Sequence, residues 1–446
     1  MSSIAHLARV GSAVAITCVG FAAVSPRAAR AQDLSGPERK KMEEMLAGVR
    51  KEIAEHYYDS TMGGLNLSAI YDSAATRVRD AHALDAGLSA IAWLTLEFHD
   101  SHTFFIPPQR TVGVEYGWEM AMVGDSCFVI RVRKGSDAET HGLHPGDQIL
   151  SINGFAPTRE NLWQIQYLFW ILSPQRSLRV VMRSPGAAAH EVDLASKVRE
   201  RSKILDLTGA DGGRDIGRLV RDGERDAEDY RPLTVEYGNH LLIWKLPTFE
   251  VSLDDVRDAF KQARGKKVLL LDLRGNRGGY EKLMLDVIGR LNKDSVVVGK
   301  ARERRRETLL VAKGTGNDAF LGQLYVLVDS RSASASEILA RVVQLSGRGK
   351  VLGDRTAGAV MRAQYRPLHL GMETAVFYGV QVTEADVVMA DGGRLERVGV
   401  TPDELILPTA ADLAAGRDTV LARALTLAGM PTDAAKAGSM YPRKNH

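Results

Sequence analysis

The sequence has few cysteines and, beyond its first few dozen residues, no long apolar run. Only two of its 446 residues are cysteine, Cys18 and Cys127. Cys18 lies in the N-terminal apolar run, so Cys127 is left without an internal disulfide partner. In the apolar segment CFVIRV it is expected to be a buried strand residue. We identify no transmembrane helix.

Neither sign of charge predominates. Lys plus Arg number 58 and Asp plus Glu number 55, which gives no electrostatic reason to expect a nucleic-acid partner or a polybasic membrane surface. With 45% hydrophobic and 25% charged residues, the composition is typical of globular proteins. The length suggests roughly two to four domains at about 100–200 residues per domain.

The first 31 residues have the pattern of a secretory signal peptide. Arg9 precedes an apolar run from Val10 to Val24, and Ala29 and Ala31 form an A-x-A pattern that predicts cleavage after Ala31. The run is shorter than the ~20 residues that a membrane-spanning helix needs. We therefore expect export to a periplasm or to the cell exterior.

The pattern of apolar residues divides the rest of the chain into five parts. Spacings of three and four residues predict a helical N-terminal region, and alternating strands and helices predict an α/β core. The parts are a helical region at 32–110, a strand-rich segment at 111–198, a charged linker at 199–232, an α/β core at 233–408, and a C-terminal helix and tail at 409–446.

The strand-rich segment contains two turn signals. Pro145-Gly146-Asp147 predicts a tight turn and Asn153-Gly154 a hairpin turn. The segment resembles a PDZ domain of secreted proteases. That resemblance implies that a peptide binds as an added strand with its C-terminal carboxylate on loop amides, and that Tyr116, Gly117 and Trp118 form this loop. The alternative is a structural spacer.

Three serines alternate in the segment SRSASASEILA, at 332, 334 and 336, and a helical pattern follows. Ser334 and Glu337 fit a capping box, which is the commoner role for a serine at such a position. However, the free amides and the dipole of a helix N-terminus also favour a developing negative charge. Gly278-Gly279 ends a neighbouring apolar strand, where glycine allows a backbone N–H to approach a ligand.

The segments LLLDLRGNRGG, SRSASASEILA and GDRTAGA, with DSHTFF and the PDZ-like part, resemble the carboxy-terminal processing peptidases, or tail-specific proteases. The resemblance implies a multidomain α/β protein with a layered ββα, crotonase/ClpP-like core. It also implies that Ser334 is the nucleophile, that the N–H groups of Ala335 and Gly279 form the oxyanion hole, and that substrates are proteins or peptides. No metal or cofactor is implied.

The sequence departs from that family at the general base. The family's lysine follows the serine by twenty-five residues, and Ala359 stands there instead. The tricorn-like branch of the family uses a Ser-His-Ser-Glu tetrad. Beside the nucleophile Ser334, Ser101 and His102 resemble its Ser-His pair, and Glu396 resembles its glutamate. Neutral imidazole, with a pKa near about 6.5, can accept a proton at extracellular pH.

The sequence therefore predicts a secreted serine endopeptidase with His102 as base. The main alternative is an inactive peptide-binding or scaffold protein, and a weaker one is a protein that binds small apolar ligands. Taken singly, His102 is also consistent with a core histidine, Ser101 with a turn and Glu396 with a surface acid. His99 and His102 lack the further ligands of a zinc site. Asp272 is expected in strand-end hydrogen bonding.

Overall fold

The computed structural model describes residues 34–110, 112–200, 231–371 and 375–441. The predicted signal peptide lies outside the described residues, as does nearly all of the predicted linker. No helix in the described ranges is both long and apolar enough to span a bilayer.

The N-terminal region is helical, as predicted. Its helices are α1 (Gly36–His56), α2 (Leu67–Arg79) and α3 (Leu84–Leu96). Ser35 begins α1 through a capping box with Glu38, and Pro37 occupies the first turn, where its missing N–H costs nothing. The apolar residues of α1 and α3 that recur at helical spacing are buried in one hydrophobic core with Tyr378 and Val380 of the α/β part.

The strand-rich segment forms an antiparallel sheet of its own. Its strands lie in the order in which they occur in the chain: β3 (Trp118–Val123), β4 (Ser126–Val132), β5 (Gln148–Ile152), β6 (Ser177–Arg183) and β7 (His190–Ala195). Beside it, β2 (Val112–Glu115) pairs with β8 (Lys197–Glu200). Two helices, α4 (Asp137–Thr140) and α5 (Leu162–Gln166), accompany the sheet, and a π-helical turn (Tyr167–Leu172) continues α5. Cys127 is buried in β4, as predicted.

The core contains a six-stranded sheet whose strands are parallel except for the edge strand at residues 233–237. In spatial order its strands are β18 (Glu404–Leu405), β15 (Lys350–Gly353), β14 (Gln323–Val328), β11 (Val268–Asp272), β10 (Leu241–Lys245) and β9 (Leu233–Tyr237). The helices α6 (Leu253–Ala263), α7 (Glu281–Arg290) and α8 (Ala335–Leu345) share one hydrophobic core with one face of this sheet.

A second sheet connects the N-terminal region to the core. The long strand β17 (Val376–Met389) pairs with β16 (Met361–Leu370) along one side, and with β1 (Phe104–Ile106) and β12 (Val296–Glu303) along the other. The strand β13 (Glu307–Ala312) then pairs with β12. Because β1 begins two residues after His102, its pairing with β17 fixes Ser101 and His102 against the α/β core.

The C-terminal part differs from the single helix expected. It contains three short helices, α9 (Ala410–Ala415), α10 (Thr419–Leu427) and α11 (Ala434–Gly438). Gly416 ends α9 in the left-handed conformation, with φ 62°, which glycine adopts without a steric penalty. The apolar residues of α10 pack against the face of the six-stranded sheet opposite α6–α8.

Candidate active site

Ser334 lies at a sharp junction between strand β14 and helix α8. Its φ is 55° and its ψ is −117°, a conformation that L-residues rarely adopt and that costs of the order of 1–3 kcal/mol. The turn packs tightly on the glycine loop, since a Cβ on Gly278 would lie 2.7 Å from Cβ of Ser334. Such strain is typical of a side chain held at a functional position.

The hydroxyls of the two flanking serines are engaged structurally. Ser332 Oγ donates to the carbonyl of Leu273 at 2.8 Å, and Ser336 Oγ donates to the carbonyl of Asn276 at 2.9 Å. Both residues are completely buried. Within the described residues, Ser334 Oγ donates no hydrogen bond, so it is the serine of the three that is free to react.

Two backbone N–H groups beside Ser334 have no acceptor among the described residues, those of Ala335 and Gly279. The neighbouring N–H of Gly278 is held by Asn276 Oδ1 at 2.8 Å. Phe249 fixes the loop on both sides of Gly279, because its N–H donates to the carbonyl of Gly278 at 2.8 Å and its carbonyl accepts from Tyr280 at 3.0 Å. Free, oriented N–H groups of this kind are what an oxyanion hole requires.

The Glu337 carboxylate is completely buried and holds four donors. Oε2 accepts from the N–H groups of Ser334 at 3.0 Å and Ala359 at 2.9 Å. Oε1 accepts from Thr356 Oγ1 at 2.6 Å and from the N–H of Gly358 at 2.7 Å. The glutamate half of the predicted capping box is present, whereas the N–H of Glu337 donates to the carbonyl of Ser334 and not to its hydroxyl. The same carboxylate also ties the loop before β16 to the serine turn. Burial raises the pKa of Glu337 to about 7, although these hydrogen bonds oppose the shift.

Ser101, His102 and Glu396 are brought together although 295 positions separate the first from the last. Ser101 Oγ lies 2.7 Å from His102 Nδ1 and donates to Glu396 Oε2 at 2.8 Å. The Ser101 N–H donates to Glu396 Oε1 at 2.8 Å. The N–H of Val360 donates to Oε2 at 2.7 Å. Burial raises the pKa of Glu396, and the hydrogen bonds from Ser101 and Val360 oppose that rise.

The turn that carries His102 is shaped by Asp100. Asp100 Oδ1 accepts from the N–H groups of His102 at 2.9 Å and Thr103 at 2.6 Å, and from Thr383 Oγ1 of β17 at 2.9 Å. Burial lowers the pKa of His102 below its ordinary value, while the charge of Asp100 acts in the opposite direction. The net shift favours the neutral form of the imidazole.

The dipeptide Ala359-Val360 connects the serine turn with the Ser-His-Glu group. Ala359 accepts from the N–H of Ser334 at 2.9 Å, and the next residue, Val360, donates to Glu396. Within the described residues no hydrogen bond joins His102 directly to Ser334. At the position where the resemblance implied a lysine, Ala359 contributes its carbonyl to this link.

The predicted peptide-binding residues lie at the start of β3. The side chains of Tyr116 and Trp118 are buried in the core of this sheet, and Tyr116 donates to the carbonyl of Phe169 at 2.9 Å. Gly117 has φ 76° and its carbonyl accepts from Arg133 at 2.7 Å. A peptide on this loop would therefore contact its backbone and not these two aromatic rings.

Sequence reasoning missed two charged positions. Asp100 precedes Ser-His-Thr, and an aspartate whose side chain accepts from the next two or three N–H groups is a recognisable turn signal. Asp354, left without a role, forms a buried ion pair of 2.6 Å with Arg159 of the PDZ-like part. No local signal indicated that contact, because its partners lie 195 positions apart. Asp272 does bond at its strand end, to Arg274 and Tyr441, as predicted.

No set of three or more His, Cys, Asp or Glu side chains is arranged to hold a metal ion in the described parts of the chain. The site consists of a strained serine, two free amides and a half-buried Ser-His-Glu relay. Residues 241–406, which contain the serine and the glutamate, match peptidase family S41, and residues 110–164 match the PDZ domain. The chain thus contains a segment that matches peptidase family S41 and, before it, a segment that matches a PDZ domain.

Curated relatives of this chain carry protease names. The tail-specific protease of Haemophilus influenzae is 25% identical over 327 residues, which cover 68% of this chain and 43% of that protein. The chain thus spans less than half the length of this relative. The carboxyl-terminal-processing protease of a Picosynechococcus species is 23% identical over 381 residues, which cover 82% of this chain and 83% of the relative.

Solved structures share the fold. Mature CPAF is 13% identical, with a TM-score of 0.63 over 84% of this chain and 94% of that one. The photosystem II D1 C-terminal processing protease is 20% identical, with a TM-score of 0.51 over 88% of this chain and 98% of that one. At these identities the likeness concerns the fold, and it confirms the expected α/β architecture with a PDZ domain.

Proposed function

We propose that this S41 protein is a serine endopeptidase in which Ser334 is the nucleophile and His102 the general base, with Ser101 and Glu396 as orienting partners. The observation that carries the proposal is the hydrogen-bonded relay from His102 through Ser101 to Glu396. A relay of this kind has no structural necessity at an isolated turn. It supplies what a lysine would otherwise provide beside the serine.

The relay determines which imidazole nitrogen carries the proton. The single hydroxyl proton of Ser101 is donated to Glu396, which already accepts from two backbone N–H groups and is thereby favoured as a carboxylate. Ser101 Oγ must then accept from the Nδ1–H of His102. Nε2 therefore keeps its lone pair and is the nitrogen able to accept the serine proton.

The reaction follows from these positions. His102 Nε2 takes the proton of Ser334 as Oγ attacks the peptide carbonyl. This requires a hydrogen bond from Ser334 Oγ to Nε2, and in many enzymes such a bond forms only in the substrate complex. The N–H groups of Gly279 and Ala335 stabilise the oxyanion. The imidazolium, stabilised through Ser101 by Glu396, then protonates the leaving amine, and water releases the acyl group.

The names of the relatives indicate the substrate class. Two of the relatives are described as tail-specific and carboxyl-terminal-processing proteases. In this chain, a segment that matches a PDZ domain precedes the segment that matches peptidase family S41. We infer that the PDZ domain binds C-terminal or unfolded segments of proteins, with the backbone around Gly117 as the carboxylate-binding loop. With the predicted signal peptide, the proposal is that this activity lies in a periplasm or outside the cell.

The proposal is tested with a fluorophosphonate probe and a casein or peptide cleavage assay. The probe should label the wild type and not Ser334→Ala. His102→Ala should lose at least about 10³-fold in cleavage rate, since the serine is then without a base, and should keep the melting temperature. His99→Asn is the matched control, because His99 is exposed, makes no hydrogen bond through its ring in the described residues and has a φ of 52° that asparagine tolerates.

Ser101→Ala separates the relay from a simple Ser-His pair. It removes the group that fixes the imidazole tautomer and should reduce the rate while probe labelling persists at a lower rate. Full activity in His102→Ala would reject His102 as the base. Absence of labelling and of cleavage in the folded wild type would favour the inactive peptide-binding protein instead.

A further inference from the structure

Strand β13 forms an open edge of the second sheet. It pairs with β12 on one side, and no strand of the described residues pairs with its other side. Leu309 is 54% exposed and Val311 36%, and Val297 of β12, opposite Val311, is 49% exposed. Soluble proteins usually protect such an edge with charges, proline or a cover, because an exposed apolar edge strand pairs readily with another strand.

The hairpin that joins β12 and β13 shows which backbone groups face outwards. The N–H of Glu303 donates to the carbonyl of Arg306 at 2.9 Å, so these two residues form a hydrogen-bonded pair. In an antiparallel ladder such pairs alternate with non-bonded ones. The backbone groups of Thr308 and Leu310 therefore face β12, whereas those of Glu307, Leu309 and Val311 point away from the sheet.

The sequence of this edge is complementary to itself. In an antiparallel pairing of two copies of β13 about a two-fold axis at Leu310, Leu309 of each copy lies opposite Val311 of the other. The outward backbone groups of both strands are then in register. Glu307 of each copy lies opposite Lys313 of the other, so the pairing ends with an opposite-charge pair on each side.

The charges around the edge allow this register. Lys313 is exposed and forms no ion pair within the described residues. Glu307 bonds to Lys300 through Oε2 and to Arg302 through Oε1, each at 3.3 Å, and each carboxylate oxygen can accept a further hydrogen bond. If the register shifted by one residue, Leu309 and Val311 of one copy would lie on the opposite face of the joined sheet from Leu309 and Val311 of the other. Both opposite-charge pairs would then be lost.

We propose that two copies of this chain associate through β13, in an antiparallel two-fold pairing centred on Leu310 that joins their second sheets into one. The interface combines backbone hydrogen bonds with an apolar strip of Leu309, Val311 and Val297 from each copy. A contact of one strand from each copy is small, so the dimer dissociates on dilution. This pairing is independent of the proposed catalytic activity.

Sedimentation velocity on the full chain tests the pairing over a range of concentrations. At about 100 µM, a hundredfold above a micromolar dissociation constant, the wild type should sediment as a dimer. Leu309→Arg places a charge in the apolar strip and should weaken the dimer at least tenfold. Leu321→Arg is the matched control, since Leu321 is 59% exposed outside the strip and should leave association unchanged.

Charge reversal tests the register. Glu307→Lys and Lys313→Glu each create two like-charge contacts in the homodimer and should weaken it. A mixture of the two variants restores both opposite-charge pairs in the heterodimer, so energy transfer between differently labelled chains should exceed that of either variant alone. A wild type that remains monomeric, or a Leu309→Arg variant that dimerises as the wild type does, overturns the proposal, and no gain on mixing rejects this register.

Discussion

Glu337 is the residue whose replacement tests the organisation of the site most directly. Its carboxylate accepts from the N–H groups of Ser334, Gly358 and Ala359 and from the Thr356 hydroxyl. Glu337→Gln keeps the shape of the side chain but replaces one accepting oxygen by an NH2 group. Because two donors meet each oxygen, the new amide group opposes two donors whichever way it is turned.

The loss of stability in Glu337→Gln depends on which of these donors can find another acceptor. The N–H of Ser334 keeps a second acceptor, the carbonyl of Ala359 at 2.9 Å, and the Thr356 hydroxyl can rotate. In either orientation one buried backbone N–H, that of Gly358 or of Ala359, loses its acceptor. We therefore expect Glu337→Gln to lower the free energy of unfolding by about 1–3 kcal/mol. Because the serine turn loosens, the cleavage rate should fall about tenfold or more.

The stability difference between the wild type and Glu337→Gln should be larger at low pH. The pKa of Glu337 is raised to about 7 in the folded protein, against about 4.3–4.5 unfolded. The favourable contribution of the protonated group is complete below the unfolded pKa and is lost as the pH rises through 7. Between pH 5 and pH 8 the wild type should lose roughly 2–3 kcal/mol through this group, and the variant should not.

The assay is chemical denaturation of the wild type and the variant at pH 5 and pH 8, with cleavage measured in parallel. Glu44→Gln, which changes an exposed carboxylate on α1, is the control for a simple loss of charge. The deficit of Glu337→Gln should be larger at pH 5 than at pH 8. A variant that is as stable and as active as Glu44→Gln at both pH values would refute the positioning role.

Three further outcomes are expected. Arg274→Ala leaves the completely buried Asp272 without its main cationic partner and should cost roughly 3–5 kcal/mol in chemical denaturation. Arg159→Ala leaves Asp354 unpaired at the junction of the PDZ and peptidase domains, and should speed proteolysis between them while each domain stays folded. Since burial lowers the pKa of His102, the acid limb of kcat/KM should lie below about 6.5, and activity should rise with pH through it.

Matched measurements decide these outcomes. Arg257→Ala removes an exposed ion pair with Asp254 and should cost only about 0–1 kcal/mol. An Arg274→Ala variant equally mild would show that Asp272 is solvated or otherwise paired. Unchanged proteolysis of Arg159→Ala would place the interdomain contact elsewhere, and an acid limb well above pH 7 would point to a base other than an imidazole.

Local sequence signals predicted most of the separate elements. The capping residues and the three- and four-residue spacing of Met42, Met45 and Val49 predicted a helix because neighbouring residues alone decide which face is apolar. Asn153-Gly154 predicted its turn because both residues adopt positive φ, here 48° and 88°. The helical pattern after Ser334 predicted that this serine stands at a helix N-terminus, and a resemblance in three short segments implied its role as nucleophile.

Longer-range features escaped prediction because no local pattern records them. Glu337 was recognised as a cap, but its bonds to the loop at 356–359 depend on how β15 and β16 are placed. The C-terminal helix was expected to be continuous, and Gly416 divides it.

The sequence by itself determined the helical N-terminal region, the PDZ-like turns, the buried strands and a serine at a helix N-terminus, since each depends on residues close together in the chain. Only the tertiary structure decided that Ser101 and Glu396 share a hydrogen bond. That contact exists because β1 pairs with β17, and strand pairing between segments nearly 300 residues apart is set by the packing of the whole core.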